Sequence, residues 1–102
     1  MNYALINSNG DYSNTFSYCS SITKVVIGEN VDTISSSTFT YCYCIRAIYM
    51  LGVNPPSLNS TSAFNSFPSG YQIFVPSETA RNAYIGATNW SNFSDHIVVG
   101  SP

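Results

Sequence analysis

Three short stretches of this chain carry the two-residue period of a β-strand. In Ile22-Thr23-Lys24-Val25-Val26-Ile27 the residues at 25 and 27 are apolar on one side and flank an outward Val26. Arg46-Ala47-Ile48-Tyr49-Met50 and Tyr71-Gln72-Ile73-Phe74-Val75 repeat that alternation. Gly28-Glu29-Asn30 ends the first, Gly52 with Pro55-Pro56 the second, and Pro76 the third. Residues 3–6 form a further short candidate strand, and 7–21 read as a turn-rich loop carrying Phe16 and Cys19. Val31, Ile34 and Phe39 re-enter the core from the loop after the first strand. No tight hairpin turn joins these strands, so a parallel sheet with right-handed crossovers is the economical topology.

After Pro76 the period changes. Ser77 suits a helix N-cap and Glu78 its first turn, while Ala80, Ala83, Tyr84 and Ala87 follow helical spacing. This predicts one helix of about three turns ending near Gly86–Thr88. Trp90, Phe93 and Ile97 then supply bulky apolar groups to close the last unit.

The alternation is part of a longer echo. Phe16-Ser17-Tyr18-Cys19-Ser20-Ser21-Ile22 returns as Phe39-Thr40-Tyr41-Cys42-Tyr43-Cys44-Ile45, with four identities. The offset that carries Phe16 onto Phe39 also carries Ile22, Val25 and Ile27 onto Ile45, Ile48 and Met50. A weaker third copy places Ser62-Ala63-Phe64 on Ser37-Thr38-Phe39 at a slightly longer offset, the extra length falling around Asn54-Pro55-Pro56. There Phe67 occupies the slot of Cys19 and Cys42, which predicts that the slot faces inward. Self-similarity at such a period is the mark of a solenoid, whose units bury their apolar faces only by stacking.

The expected fold is a short right-handed solenoid of the leucine-rich-repeat type. It has a small parallel β-sheet, an irregular or short-helical opposite side, and a C-terminal helical cap. Residues 1–102 form one domain, divided into a degenerate first repeat (1–21), a repeat (22–44), a repeat with an insertion (45–70), and a closing strand with the cap (71–102).

Ile22-x-x-Val25-x-Ile27-x-x-x-Val31-x-x-Ile34-x-x-x-x-Phe39-x-x-Cys42 resembles the repeat of BspA-like leucine-rich repeat proteins. Pro55-Pro56, Ile73-Phe74-Val75-Pro76-Ser77, Tyr84, Trp90 and Ile97 resemble the segment that closes those arrays. Two positions depart from the pattern: Gly28 stands where a proline is usual, and Cys44 replaces a more ordinary residue. The resemblance covers roughly residues 12–99. It implies a bacterial, sometimes protist, surface or secreted protein with an adhesive repeat face, and it carries no catalytic motif.

Charge excludes some partners. Only 8% of residues are charged and the net charge is −2, so nucleic acid and anionic membranes find no electrostatic footprint. No stretch has the apolar length of a membrane span. About a third of the chain is Ser, Thr or Asn, with eight tyrosines besides, which suits a secreted or surface module binding through hydrogen bonds and aromatic contact. The first residues lack a basic region followed by an apolar stretch. An export signal is therefore expected upstream, in a longer parent protein, since the first copy of the repeat is degenerate before Thr15 as though other repeats once preceded it.

The chemistry-bearing residues are few. Cys19, Cys42, Cys44 and His96 are the candidates for a metal site, but Cys42-x-Cys44 is a short spacer for structural zinc. A Cys19–Cys42 bridge is within reach, because adjacent units sit about 4.8 Å apart. Stacked side chains point the same way, however, so reduced buried thiols are expected. A cysteine nucleophile would need Cys42 or Cys44 beside His96, oriented by Asp95 or Asn92, and nothing beside the cysteines lowers a thiol pKa. Asp95-His96 more simply caps the closing turn. Three Asn-x-Ser/Thr sequons, at Asn59, Asn89 and Asn92, are read as chance in so Asn- and Ser-rich a chain. No enzyme activity, cofactor or metal is expected.

What remains is the sheet face. If Val25/Ile27, Ile48/Met50 and Ile73/Val75 point inward, their neighbours point out. Lys24, Ala47 and Gln72 then make one exposed row, and Val26, Tyr49 and Phe74 another, with Tyr49 and Phe74 substantially exposed. This face is the candidate binding surface for a protein or glycan at a cell surface. The alternative is a purely structural terminus of a longer array. The edge of the first strand is expected to favour self-association.

Overall fold

The computed structural model describes residues 3–6, 23–34, 39, 44–58, 64 and 67–100. It is an α/β domain built on a five-stranded parallel sheet. The strands are β1 (Tyr3–Ile6), β2 (Lys24–Ile27), β3 (Thr33–Ile34), β4 (Ala47–Met50), β5 (Ser57–Leu58), β6 (Gln72–Val75) and β7 (Ile97–Val99). The large sheet runs β1-β2-β4-β6-β7, and β3 pairs with β5 in a second, two-stranded parallel sheet. Helix α1 (Glu78–Ile85) and a 3₁₀ helix (Trp90–His96) lie between β6 and β7.

The register gives the sheet its regularity. Tyr3 pairs with Lys24, Lys24 with Ala47, Ala47 with Gln72, and Ile73 with Ile97. The step from Lys24 to Ala47 equals the offset that carries Phe16 onto Phe39 in the sequence echo. The step from Ala47 to Gln72 equals the longer one that carries Phe39 onto Phe64. Equivalent residues therefore stand side by side on neighbouring strands, as one-unit crossovers to a parallel neighbour require.

One face of the large sheet is the core. Val25, Ile27, Ile48, Ile73 and Val75 have no exposed surface and Met50 has 3%. Val31, Ile34, Leu58 and Phe39 close over them from the crossovers. Phe64 sits among rings: Phe39 at 5.9 Å, Phe67 at 5.4 Å, Trp90 at 5.8 Å and Phe93 edge-on at 4.9 Å between centroids. Offset and edge-to-face pairs of this kind add to the gain from burial itself. Phe67 is buried, as its inward slot requires. Its counterparts Cys19 and Cys42, and with them the bridge-or-thiol question, lie outside the described residues, as do Phe16 and Ile22.

The helical segment fastens to the crossover after β4 through carbonyl groups. The Tyr84 hydroxyl donates to Gly52 O at 3.1 Å, Trp90 Nε1 to Pro56 O at 2.7 Å, and Asn89 Nδ2 to Leu58 O at 2.6 Å. Asn89 reaches Leu58 from a backbone of positive φ (69°), which asparagine adopts more often than most residues. Ser77 caps α1, accepting from the Ala80 N–H at 3.1 Å. Among the described residues every buried side-chain nitrogen or oxygen has a partner, and none of the helices is long and apolar enough to cross a membrane.

Several expectations need correction. Helix α1 ends at Ile85 with Gly86 as its C-cap, so it has little more than two turns rather than three. Ala80 and Tyr84 are buried, but Ala83 is exposed. The side opposite the large sheet is not merely irregular: Thr33–Ile34 and Ser57–Leu58 form a ladder there. Trp90–His96 is a 3₁₀ helix, and the chain then adds a fifth strand, β7, where only a cap was expected.

Candidate functional site

The outer face of the large sheet brings the six predicted residues together in the predicted rows. Lys24 pairs with Ala47 and Ala47 with Gln72; Val26 pairs with Tyr49 and Tyr49 with Phe74. Because the intervening residues Val25, Ile48 and Ile73 are fully buried, the strand period turns both rows outward.

Exposure along the rows differs from expectation. Gln72 is exposed, but Lys24, Ala47, Tyr49 and Phe74 are only half-buried, and Val26 is buried at 6%. The physical cause is lateral packing. The Tyr49 and Phe74 rings lie stacked across adjacent strands, centroids 4.6 Å apart and planes 11° from parallel, which is the spacing of neighbouring strands. Each ring shields the other. Val26 has a short branched side chain set between Leu5 and Tyr49 in the register, so its larger neighbour overtops it. Lys24 lies over the other flank of Tyr49, its Nζ 5.3 Å from the ring centroid, within cation–π reach.

The apolar row is longer than the sequence reading made it. Leu5 pairs with Val26, and Phe74 with Val98, so a stripe Leu5–Val26–Tyr49–Phe74–Val98 crosses all five strands. Leu5 is 54% exposed at one end. At the other end the backbone runs close beside Phe74: a Cβ on Gly100 would meet Phe74 Cδ1 at 2.5 Å. Only a glycine lets the backbone pass this close to the ring. The signal for both ends was one further step of nearly the same length, from Val26 back to Leu5 and from Phe74 on to Val98. It shows only when the self-match is carried beyond the two clear copies.

The other chemistry-bearing groups lie elsewhere. His96 stacks on Tyr71 at 4.0 Å and donates from Nδ1 to Tyr71 O at 2.8 Å, which fixes its tautomer. Burial pushes the Tyr71 hydroxyl up to about 12 and raises that of Tyr84 as well. Cys44 is a free thiol and half-buried. Among the described residues no group of His, Cys, Asp and Glu is placed to hold a metal ion. Of the sequons, the Asn89 side chain is held by Leu58 O and Asn92 lies exposed, while Asn59 is outside the described residues.

Among the described residues, two shallow depressions lie beside the sheet. One of about 340 Å³ lies between Pro55–Leu58 and Ala87–Trp90. The polar atoms of Asn89 and Trp90 beside it are already committed to the carbonyls of Leu58 and Pro56. The second, about 330 Å³, lies between the turns after β2 and β4, around Glu29, Asn30 and Asn54. Neither gathers the convergent polar groups of a catalytic pocket.

Comparison with protein-family models, with curated proteins and with solved structures finds no match to this chain.

Proposed function

We propose that this chain is a non-catalytic binding or adhesion module whose outer sheet face engages a protein partner at a cell surface or in the extracellular space. The observation that carries this reading is the five-strand apolar stripe with the Tyr49–Phe74 stack at its centre. Aromatic groups on rigid strands offer contact area at little further entropic cost, as binding hot spots do. The stack also favours a protein over a glycan. Sugar rings pack on open aromatic faces, whereas Tyr49 and Phe74 turn faces toward each other. The low charge and the abundance of hydroxyl and amide side chains fit an exported protein.

The architecture proposed around that face is a leucine-rich-repeat-like solenoid of the BspA-like kind. Pairing of Lys24 with Ala47 and of Ala47 with Gln72, at the offsets of the sequence echo, supports it. In this reading α1 and the 3₁₀ helix form the cap that keeps the last apolar layer dry.

A second reading, that the segment only terminates a longer array, is favoured by a different observation: Arg81 Nε donates to Ile97 O at 3.0 Å, which occupies one carbonyl on the last strand of the sheet. One experiment separates the two. Immobilised extracellular proteins and surface glycans are probed with the wild-type chain and with Tyr49→Ala/Phe74→Ala. The binding reading expects retention on proteins by the wild type and at least tenfold weaker retention by the variant. Equal retention of both, or retention on glycans alone, contradicts it, and no retention at all favours the structural role.

A further inference from the structure

The Phe74 ring is confined from both neighbouring strands. On the β4 side Tyr49 lies parallel to it, with centroids 4.6 Å apart. On the β7 side the backbone of Gly100 comes up against one edge of the ring. A Cβ at Gly100 would stand 2.5 Å from Phe74 Cδ1, 3.2 Å from Cε1 and 3.5 Å from Cγ. Ordinary carbon contacts begin at about 3.5 Å, so a methyl group there would drive that edge back by about 1 Å. Tyr49 closes the way toward β4, and its own far flank carries Lys24, with Nζ 5.3 Å from the ring centroid. The Phe74 ring could then only tilt out of the stack. Backbone geometry does not call for glycine at this position. Among the described glycines only Gly70 has a positive φ. Gly100 makes an ordinary ladder bond, its N–H donating to Val75 O at 3.0 Å. What a side chain at position 100 would disturb is Phe74.

We infer that Gly100 is a positioning residue for the outer-face binding surface: its bare Cα leaves the slot in which Phe74 stands parallel to Tyr49. The inference rests on the binding role proposed above for that face. In the stack, planes 11° from parallel, the two rings turn their faces to each other and offer a partner their edges. Edge and face of an aromatic ring carry opposite ends of its quadrupole. A tilted Phe74 would expose a face instead, so position 100 decides what the partner meets, although it need not touch the partner itself.

Gly100→Ala and Phe74→Ala, singly and together, test this in the full chain. Nuclear Overhauser contacts between the Tyr49 and Phe74 rings should be lost in Gly100→Ala. They should persist in the control Gly86→Ala, where an added Cβ meets Asn82 O at an ordinary 3.5 Å. On the proteins retained in the binding panel, Gly100→Ala should weaken retention at least tenfold, yet add nothing to the loss that Phe74→Ala causes alone. The urea midpoint should show the same masking: Gly100→Ala lowers it in the wild type and leaves it unchanged once Phe74 is replaced by Ala. Ring contacts that survive in Gly100→Ala overturn the inference, whatever the panel shows. So does full retention by Gly100→Ala, and so does a loss that adds in full to that of Phe74→Ala, which marks a general disturbance of β7. If the panel retains no wild-type chain, the binding role fails, and the ring contacts and midpoints still decide whether Gly100 positions Phe74.

Discussion

Tyr49 and Phe74 lie one above the other on neighbouring strands, 4.6 Å between ring centroids and 11° from parallel. They are therefore part of the sheet's packing as well as of its surface. A double-mutant cycle with Tyr49→Ala and Phe74→Ala, read by urea denaturation, should give a coupling of about 0.5–1.5 kcal/mol. Strict additivity would mean the rings do not stack in solution.

Phe64 holds the interior together, in contact with the rings of Phe39, Phe67, Tyr71, Trp90 and Phe93. Phe64→Ala should cost about 3–5 kcal/mol, because five rings cannot collapse into one cavity. That lowers Tm by roughly 12 °C or more in a domain of this size. Calorimetry showing a shift of only a few degrees would mean that Phe64 is not central to the core.

The elements that can be read in the sequence are those whose pattern is local. β2, β4 and β6 show the strand period and the offset that pairs them, and Ser77 announces α1 with its cap. β3 and β5 are two residues each, too short for any period to register. β7 is an unbroken apolar run, Ile97-Val98-Val99, directly after a helical segment, so alternation could not reveal it. Burial on the outer face is harder still. Val26 is covered by a neighbour on another strand, and the mutual shielding of Tyr49 and Phe74 depends on rotamers that no spacing encodes.

The Ser77 cap gives a direct test of the helical segment. Ser77→Ala removes the acceptor for the Ala80 N–H and should cost about 1 kcal/mol, whereas Ser77→Asp retains it. Equal urea midpoints for wild type and Ser77→Ala would contradict the cap.

Alkaline stability should follow the buried phenols. Tyr71 is pushed up to about 12 by burial, and Tyr84 is raised too, so the folded chain holds these protons more tightly than the unfolded chain. Their contribution is fully present below the unfolded pKa of about 10 and is lost as pH rises through the folded values. The urea midpoint should therefore fall between about pH 10 and 12, and less steeply in Tyr71→Phe. An unchanged slope in that variant would show that Tyr71 ionises as readily folded as unfolded.

The central claim concerns where a partner sits, and hydroxyl-radical footprinting reads that position residue by residue. With a protein retained in the binding panel present at saturation, Tyr49 and Phe74 should lose reactivity several-fold, and exposed Val53, away from the stripe, should not change. Protection of Val53 with Tyr49 and Phe74 as reactive as before would place the partner elsewhere and contradict a binding role for the outer sheet face.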